Sequence, residues 1–63
     1  MKVNPVKVRS ELFLKSLTQS EAAKRASLSR STVAAACTGG RIAKESAEKL
    51  AEALNVELEK LME

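Results

Sequence analysis

The stretch TQSEAAKRASLSRSTVAAACTGG, residues 18–40, contains two helix start signals in quick succession. Thr18 is followed three residues later by Glu21, which is the spacing of a capping box. In this motif the hydroxyl accepts a backbone N–H bond and the carboxylate reaches back to the N–H of the cap residue. The pattern predicts that a helix, the second along the chain, begins after Thr18 and runs to about Ala26.

A third helix follows after a very short joint. Ser29 is an N-cap residue and predicts a helix of about eight residues, which Gly39-Gly40 ends because glycine adopts the left-handed conformation of a helix C-terminus. The joint consists only of residues 27–29, so the two helices must cross steeply, as in a helix-turn-helix. Ala22 and Ala23 favour this crossing, because larger side chains would hold the helix axes apart.

The sequence before this stretch predicts one further helix. Asn4-Pro5 is a start signal, since Asn caps a helix and Pro fits the first turn, where no N–H donor is needed. We expect this first helix to extend to about Lys15. Its apolar stripe would contain Val8, Leu12 and Phe13.

Two more helices are predicted after the glycines. Apolar residues at helical spacing indicate a fourth helix over residues 44–54, although Ala43 offers no side-chain acceptor as a cap. A last short apolar helix would contain Leu58, Leu61 and Met62. No alternating strand pattern is present. The fold class is therefore all-α, a compact bundle of about five short helices, and residues 1–63 are expected to form a single domain.

Charge is unevenly distributed along the chain. Residues 1–44 contain nine Lys or Arg and two Glu, whereas residues 45–63 contain two Lys and six Glu. A basic front part beside an acidic tail suggests a polyanionic partner for the front part. The alternative interpretation is an ordinary solvated surface.

Several classes of function lack the residues that they need. The chain has no His and a single Cys, so we expect no catalytic residue, no metal site, no cofactor and no small-molecule ligand. Cys37 is interpreted as a small buried hydrophobe in a reducing compartment. With no secretory signal and no apolar run of membrane-spanning length, we expect no membrane association and a cytoplasmic location.

The motifs resemble the XRE family of helix-turn-helix proteins, which includes the phage repressors and Cro proteins. The residues that carry the resemblance are Leu17-Thr18-Gln19, Glu21-Ala22-Ala23, Leu28 through Val33, Gly39, and AEKLAEALNVELEKLM at 47–62. The resemblance implies a lambda-repressor-like bundle of five helices. It also implies a DNA-binding regulator, commonly a dimer on inverted repeats.

The resemblance implies that the third helix enters the major groove with its N-terminal residues at the base edges. The base-reading candidates are Arg30, Ser31, Ala34 and Ala35. Arg30 is long enough for a bidentate bond to guanine, and Ser31 can bond to a base edge or a phosphate. The two alanines let the helix sit deep and can touch a thymine methyl group, so more of the specificity would come from DNA shape.

Other polar residues around this helix are candidates for phosphate contacts. They are Gln19, Ser29, Thr38, Arg41 and Lys44. Gln19 is the backbone-bonding position by family resemblance, and it stands at a helix N-terminus, which favours anions. Lys24 and Arg25 are interpreted instead as solvated charges of the second helix.

The function predicted from these features is sequence-specific binding of double-stranded DNA. We expect a small transcriptional regulator, repressor-like and of phage, plasmid or mobile-element type, that binds an inverted-repeat operator as a homodimer. The C-terminal end, with Val56, Leu58 and Met62, is the expected dimer surface. The alternative is a small helical module that binds another protein and no DNA.

Overall fold

The structure is a computed structural model that describes residues 1–62. These residues form five helices joined by short turns, which confirms the predicted all-α bundle. The helices are α1 Pro5–Leu14, α2 Gln19–Ala26, α3 Arg30–Thr38, α4 Lys44–Ala53 and α5 Leu58–Met62. Within this part of the chain, no helix has the length and apolar character needed to cross a membrane.

Three of the helix starts are capped by the side chains that the sequence predicted. The Asn4 side chain accepts hydrogen bonds from the backbone N–H groups of Val6 and Lys7. Thr18 and Glu21 form a complete capping box at α2, and Ser29 caps α3. At α4 the cap position is Ala43, which makes no side-chain hydrogen bond. These caps fix where each helix begins and therefore how short the joints are.

Three helices end on a left-handed residue other than glycine, namely Ser16, Ser27 and Asn55. In each case the next N–H donates to the carbonyl five residues back: Leu17 to Leu12 at 2.9 Å, Leu28 to Ala23 at 2.9 Å and Val56 to Ala51 at 3.0 Å. This is the Schellman arrangement, in which the apolar residue after the turn packs against the helix it has left. Leu17, Leu28 and Val56 are all partly buried against the core. The turn after α2 thus delivers Leu28 to the core before α3 begins.

The core is made of small and medium apolar side chains. Leu50, Leu54, Leu61, Val8 and Val33 are fully buried. The alanines of α2 are buried as well, and α2 packs mainly against α3 and α4. Because the facing side chains are alanines, the axes of α2 and α3 can approach closely, as the sequence predicted.

The N-terminal segment is part of the fold, although no sequence signal indicated this. The Val3 N–H donates to the Gly40 carbonyl at 2.6 Å, and the Ile42 N–H donates to the Met1 carbonyl at 3.0 Å. This pairing places Val3 in the core and forms an isolated antiparallel β-bridge between Lys2 and Arg41. The segment therefore closes the bundle against the loop that follows α3.

The two glycines after α3 have different roles. The prediction of a left-handed glycine is correct for Gly40, whose φ is 76°, but Gly39 is the C-cap and stays in the right-handed helical region. A Cβ at Gly40 would collide with the Val3 carbonyl oxygen, whereas nothing lies near a Cβ at Gly39. Gly40 is thus required both by its backbone conformation and by the close approach of the N-terminal segment.

One predicted core residue lies on the surface. Val8 and Leu12 face the core as expected, but Phe13 is 83% exposed. Phe13 lies about 100° further around the helix than Leu12, and this side of α1 faces solvent rather than the core. The expectation that Phe13 belongs to the inner stripe was wrong.

Candidate nucleic-acid interface

The N-terminal turn of α3 exposes two polar side chains to solvent. The Ser29 hydroxyl oxygen accepts the Thr32 N–H at 3.2 Å and lies 2.8 Å from the Thr32 hydroxyl. This cap starts the helix so that its first two residues, Arg30 and Ser31, are exposed. Neither side chain has a hydrogen-bond partner among the described residues, so both remain able to bond to an external acceptor or donor.

The next turn of α3 is less open than the sequence suggested. Ala34 and Ala35 are both half-buried, and Ala35 packs against the core. Val33, Ala36 and Cys37 form the buried face of the helix. The outward surface of α3 is therefore narrow, and Ala34 lies closer to its middle than Ala35 does.

The C-terminal turn of α3 is tied to neighbouring backbone. The Thr38 hydroxyl donates to the Ala34 carbonyl at 2.9 Å, which commits its proton within the helix and leaves its oxygen lone pairs as acceptors. A phosphate needs a donor, so this rotamer of Thr38 would have to change to bond to one. In a second contact, the Arg9 guanidinium of α1 donates to the Cys37 carbonyl. No pattern in the sequence indicated this hydrogen bond. Arg9 thereby links α1 to the end of α3.

The Cys37 side chain is buried in the core where α1 meets the end of α3. Burial raises the pKa of the Cys37 thiol, and the nearby Arg9 charge only partly opposes the effect. The thiol is therefore neutral at neutral pH and a poor nucleophile. This agrees with its interpretation as a small core residue.

The start of α2 carries the candidate phosphate contact Gln19. Gln19 is the first residue of the helix and is half-buried. Next to it, the Thr18 N–H donates to the Glu21 carboxylate at 2.8 Å, and this bond holds the pKa of Glu21 below its usual value. The capping box therefore places a negative charge at this helix end, so any phosphate contact there depends on the Gln19 side-chain amide.

The loop after α3 brings together basic residues that are far apart in the sequence. Arg41 and Lys44, two of the predicted phosphate contacts, are exposed. The β-bridge adds Lys2 directly opposite Arg41. Val3 and Ile42, the next residues on the two segments, are buried, so Lys2 and Arg41 project together from the opposite, solvent face. Within residues 1–62, neither one forms an ion pair with a carboxylate; the ion pair found there joins Lys15 and Glu11.

The comparisons with known proteins agree with this geometry. A family model described as Helix-turn-helix (HTH_3) matches residues 12–61, from within α1 into α5. No curated protein and no solved structure shows significant similarity to the chain. The match covers most of the chain and includes both helices of the motif and the turn between them. The chain therefore belongs to the XRE-type helix-turn-helix family, whose domains bind DNA in transcription regulators.

Proposed function

We propose that the protein is a sequence-specific transcriptional regulator, repressor-like and of phage, plasmid or mobile-element type, that reads the DNA major groove with α3. The observation that carries this proposal is the pair Arg30 and Ser31, exposed at the N-terminal turn of α3. In this motif those positions meet base edges. Arg30 would bond to guanine, Ser31 would bond to a base edge or a phosphate, and Ala34 would contact a thymine methyl group, with Ala35 behind it.

The polar and basic residues around α3 support the same docking. Gln19 lies at the start of α2, Ser29 caps α3 and Thr38 ends it. Arg41 and Lys44 follow α3 in the chain. We assign these five residues to the phosphate backbone, where contacts set register and orientation but carry no base information. Ser29 keeps a hydroxyl proton that it can share with Thr32 or donate to a phosphate.

The proposed regulator acts by occupying its site. Two copies on an inverted repeat would place two α3 helices in successive major grooves on one side of the duplex. The proposal includes a cytoplasmic location and no catalytic role. The alternative, a protein-binding module, is favoured by one observation: a large apolar surface on α1 is exposed. We assign that surface to self-association below, which makes it compatible with DNA binding.

The test of this proposal is the substitution Arg30→Ala, with Arg25→Ala as the matched control. Arg25 is an exposed arginine at the end of α2. Arg30→Ala should weaken binding to the preferred site by about 1–3 kcal/mol and relax the preference at one base position. Arg25→Ala should change neither. Fluorescence anisotropy with the preferred site and with single-base variants measures both effects. An equal loss on every sequence would show that Arg30 contacts phosphate, and no loss at all would remove α3 from the interface.

A further inference from the structure

The outer face of α1 is apolar and exposed. Phe13 is 83% exposed, Leu14 is 71% exposed and Val6 is 60% exposed. With Ser10 they are spaced at i, i+4, i+7 and i+8, so the four residues share the helix face opposite the core. We call these four residues the α1 outer face. The only aromatic residue of the chain thus lies in solvent, where it contributes nothing to the core.

The α1 outer face is large for a protein of this size. Its apolar side chains present roughly 350 Å², which is within the range of the largest patch on a typical monomer, and such patches are often functional. Two copies in contact would cover about twice that area, and the flanking Lys7 and Arg9 would add more. The apolar total of roughly 700 Å² stays below the roughly 1,000 Å² of a stable specific interface and corresponds to a weak, transient contact. A second copy of this chain therefore has enough surface for a weak dimer.

The spacing on this face is self-complementary. Val6 and Leu14 lie four residues to either side of Ser10. In an antiparallel pair of α1 helices with a two-fold axis at Ser10, Val6 of one copy would lie beside Leu14 of the other. Phe13 would pack near Val6 of the second copy on the same flank. The small Ser10 at the centre allows the helix axes to approach closely.

The neighbours of α1 show what such a pair does to the reading helices. On one flank of the outer face, Arg9 contacts the end of α3 at Cys37. On the other flank, Lys7 and Glu11 line a groove together with residues of α5. A two-fold axis that is perpendicular to α1 and lies in the contact plane keeps each flank on its own side. Both α3 helices would then lie on the same side of the dimer, as binding to one face of a duplex requires.

We propose that the α1 outer face is the surface through which two copies of this chain associate, in an antiparallel α1–α1 contact centred on Ser10. This inference rests on the proposed function for its role in DNA binding. It competes with the C-terminal dimer surface expected from the sequence, where Val56 and Leu58 are half-buried against the core. At that end only Met62 remains exposed among the three residues named for it.

Self-association without DNA is the direct test, measured by sedimentation from about 1 µM to about 1 mM. Phe13→Gln should raise the dimer dissociation constant about tenfold or more, as loss of a central aromatic anchor does. The matched control Met62→Gln removes an exposed apolar side chain at the other surface and should leave the constant unchanged. Because Phe13 is exposed, the melting temperature of Phe13→Gln should equal that of the parent at protein concentrations where the parent is monomeric. A parent chain that is monomeric throughout, or a larger effect of Met62→Gln, would overturn the proposal.

Cross-linking tests the position of the two-fold axis. A Ser10→Cys variant should form a covalent dimer under mild oxidation, because the two thiols would meet at the axis. Ser20→Cys, at an exposed position on α2, is the control and should cross-link much more slowly. Equal rates for the two variants would rule out the antiparallel contact at Ser10.

DNA binding separates this inference from the proposed function. Phe13→Gln should weaken binding to an inverted repeat about tenfold or more while binding to a single half-site stays unchanged. A loss on the half-site as well would place Phe13 in the DNA interface and overturn the inference. If the parent chain dimerises through α1 but binds neither DNA, the proposed function fails and the α1 contact stands.

Discussion

Lys2 and Arg41 form a pair of like charges at the β-bridge. They lie opposite each other across the β-bridge, and both carry a positive charge. Like charges directly opposite in a β pair are destabilising. No carboxylate among residues 1–62 forms an ion pair with either residue. A DNA phosphate would compensate this repulsion, and Arg41 is already one of the proposed phosphate contacts, so Lys2 is expected to act beside it.

We predict that Lys2→Gln lowers the salt dependence of DNA binding. Each phosphate contact contributes a slope of roughly −0.9 to log affinity against log salt, so losing one should reduce the slope by about 1. The loss should be similar on the preferred site and on random DNA, because phosphate contacts carry no base information.

Lys49→Gln, which removes one exposed charge on α4, is the matched control for this experiment. It should leave the slope close to that of the parent chain. Without DNA, Lys2→Gln should leave thermal stability unchanged or raise it slightly at low salt, because it relieves the like-charge pair. Equal slopes for the two variants would exclude Lys2 from the interface.

The helices that have local start signals begin where the sequence predicted. Asn4, Thr18 and Ser29 cap α1, α2 and α3 as predicted, because a cap depends on residues within one turn of it. The end of α3 is different. Its loop is shaped by Gly40 and by Val3, which pair across most of the chain length. No local pattern contains that information.

We predict that Gly40→Ala destabilises the fold strongly while Gly39→Ala does not. At Gly40 the new methyl group would meet the Val3 carbonyl in a left-handed backbone, so we expect a loss of about 2 kcal/mol or more. At Gly39 the Cβ has free space and the backbone is right-handed, so the change should stay within about 0.5 kcal/mol. Denaturant unfolding of both variants measures the difference. Similar midpoints would mean that the N-terminal segment does not pack on this loop.

Non-local contacts also account for what the sequence did not reveal about the candidate site. The sequence identified α3, its cap and its first exposed residues, since these follow from helix signals within residues 18–40. It did not place Arg9 against Cys37 or Lys2 against Arg41, because both contacts join separate elements. It also placed Phe13 in the core, because helical spacing shows which residues share a face but not which of two apolar faces is buried. α1 has apolar residues on both faces.

At the level of the whole molecule, charge and shape fit a small DNA-binding unit. The net charge is +3, but the basic residues are concentrated in the first 44 positions and the glutamates in the rest. We expect the acidic part to face away from the duplex, because phosphates would repel it. The outward surface of α3 has few polar side chains, so it should read few base pairs directly. DNA shape and deformability should then contribute more to specificity than in a reader rich in polar side chains.

Sequence-specific DNA binding through α3 is tested most directly by selecting bound duplexes from random DNA and measuring the affinity of the enriched site at several salt concentrations. We predict an enriched inverted repeat with half-site centres about 10 base pairs apart and a guanine preference that Arg30→Ala removes. Log affinity should fall linearly with log salt for the enriched site. Recovery of no preferred sequence, or a preference that Arg30→Ala leaves intact, would contradict the claim.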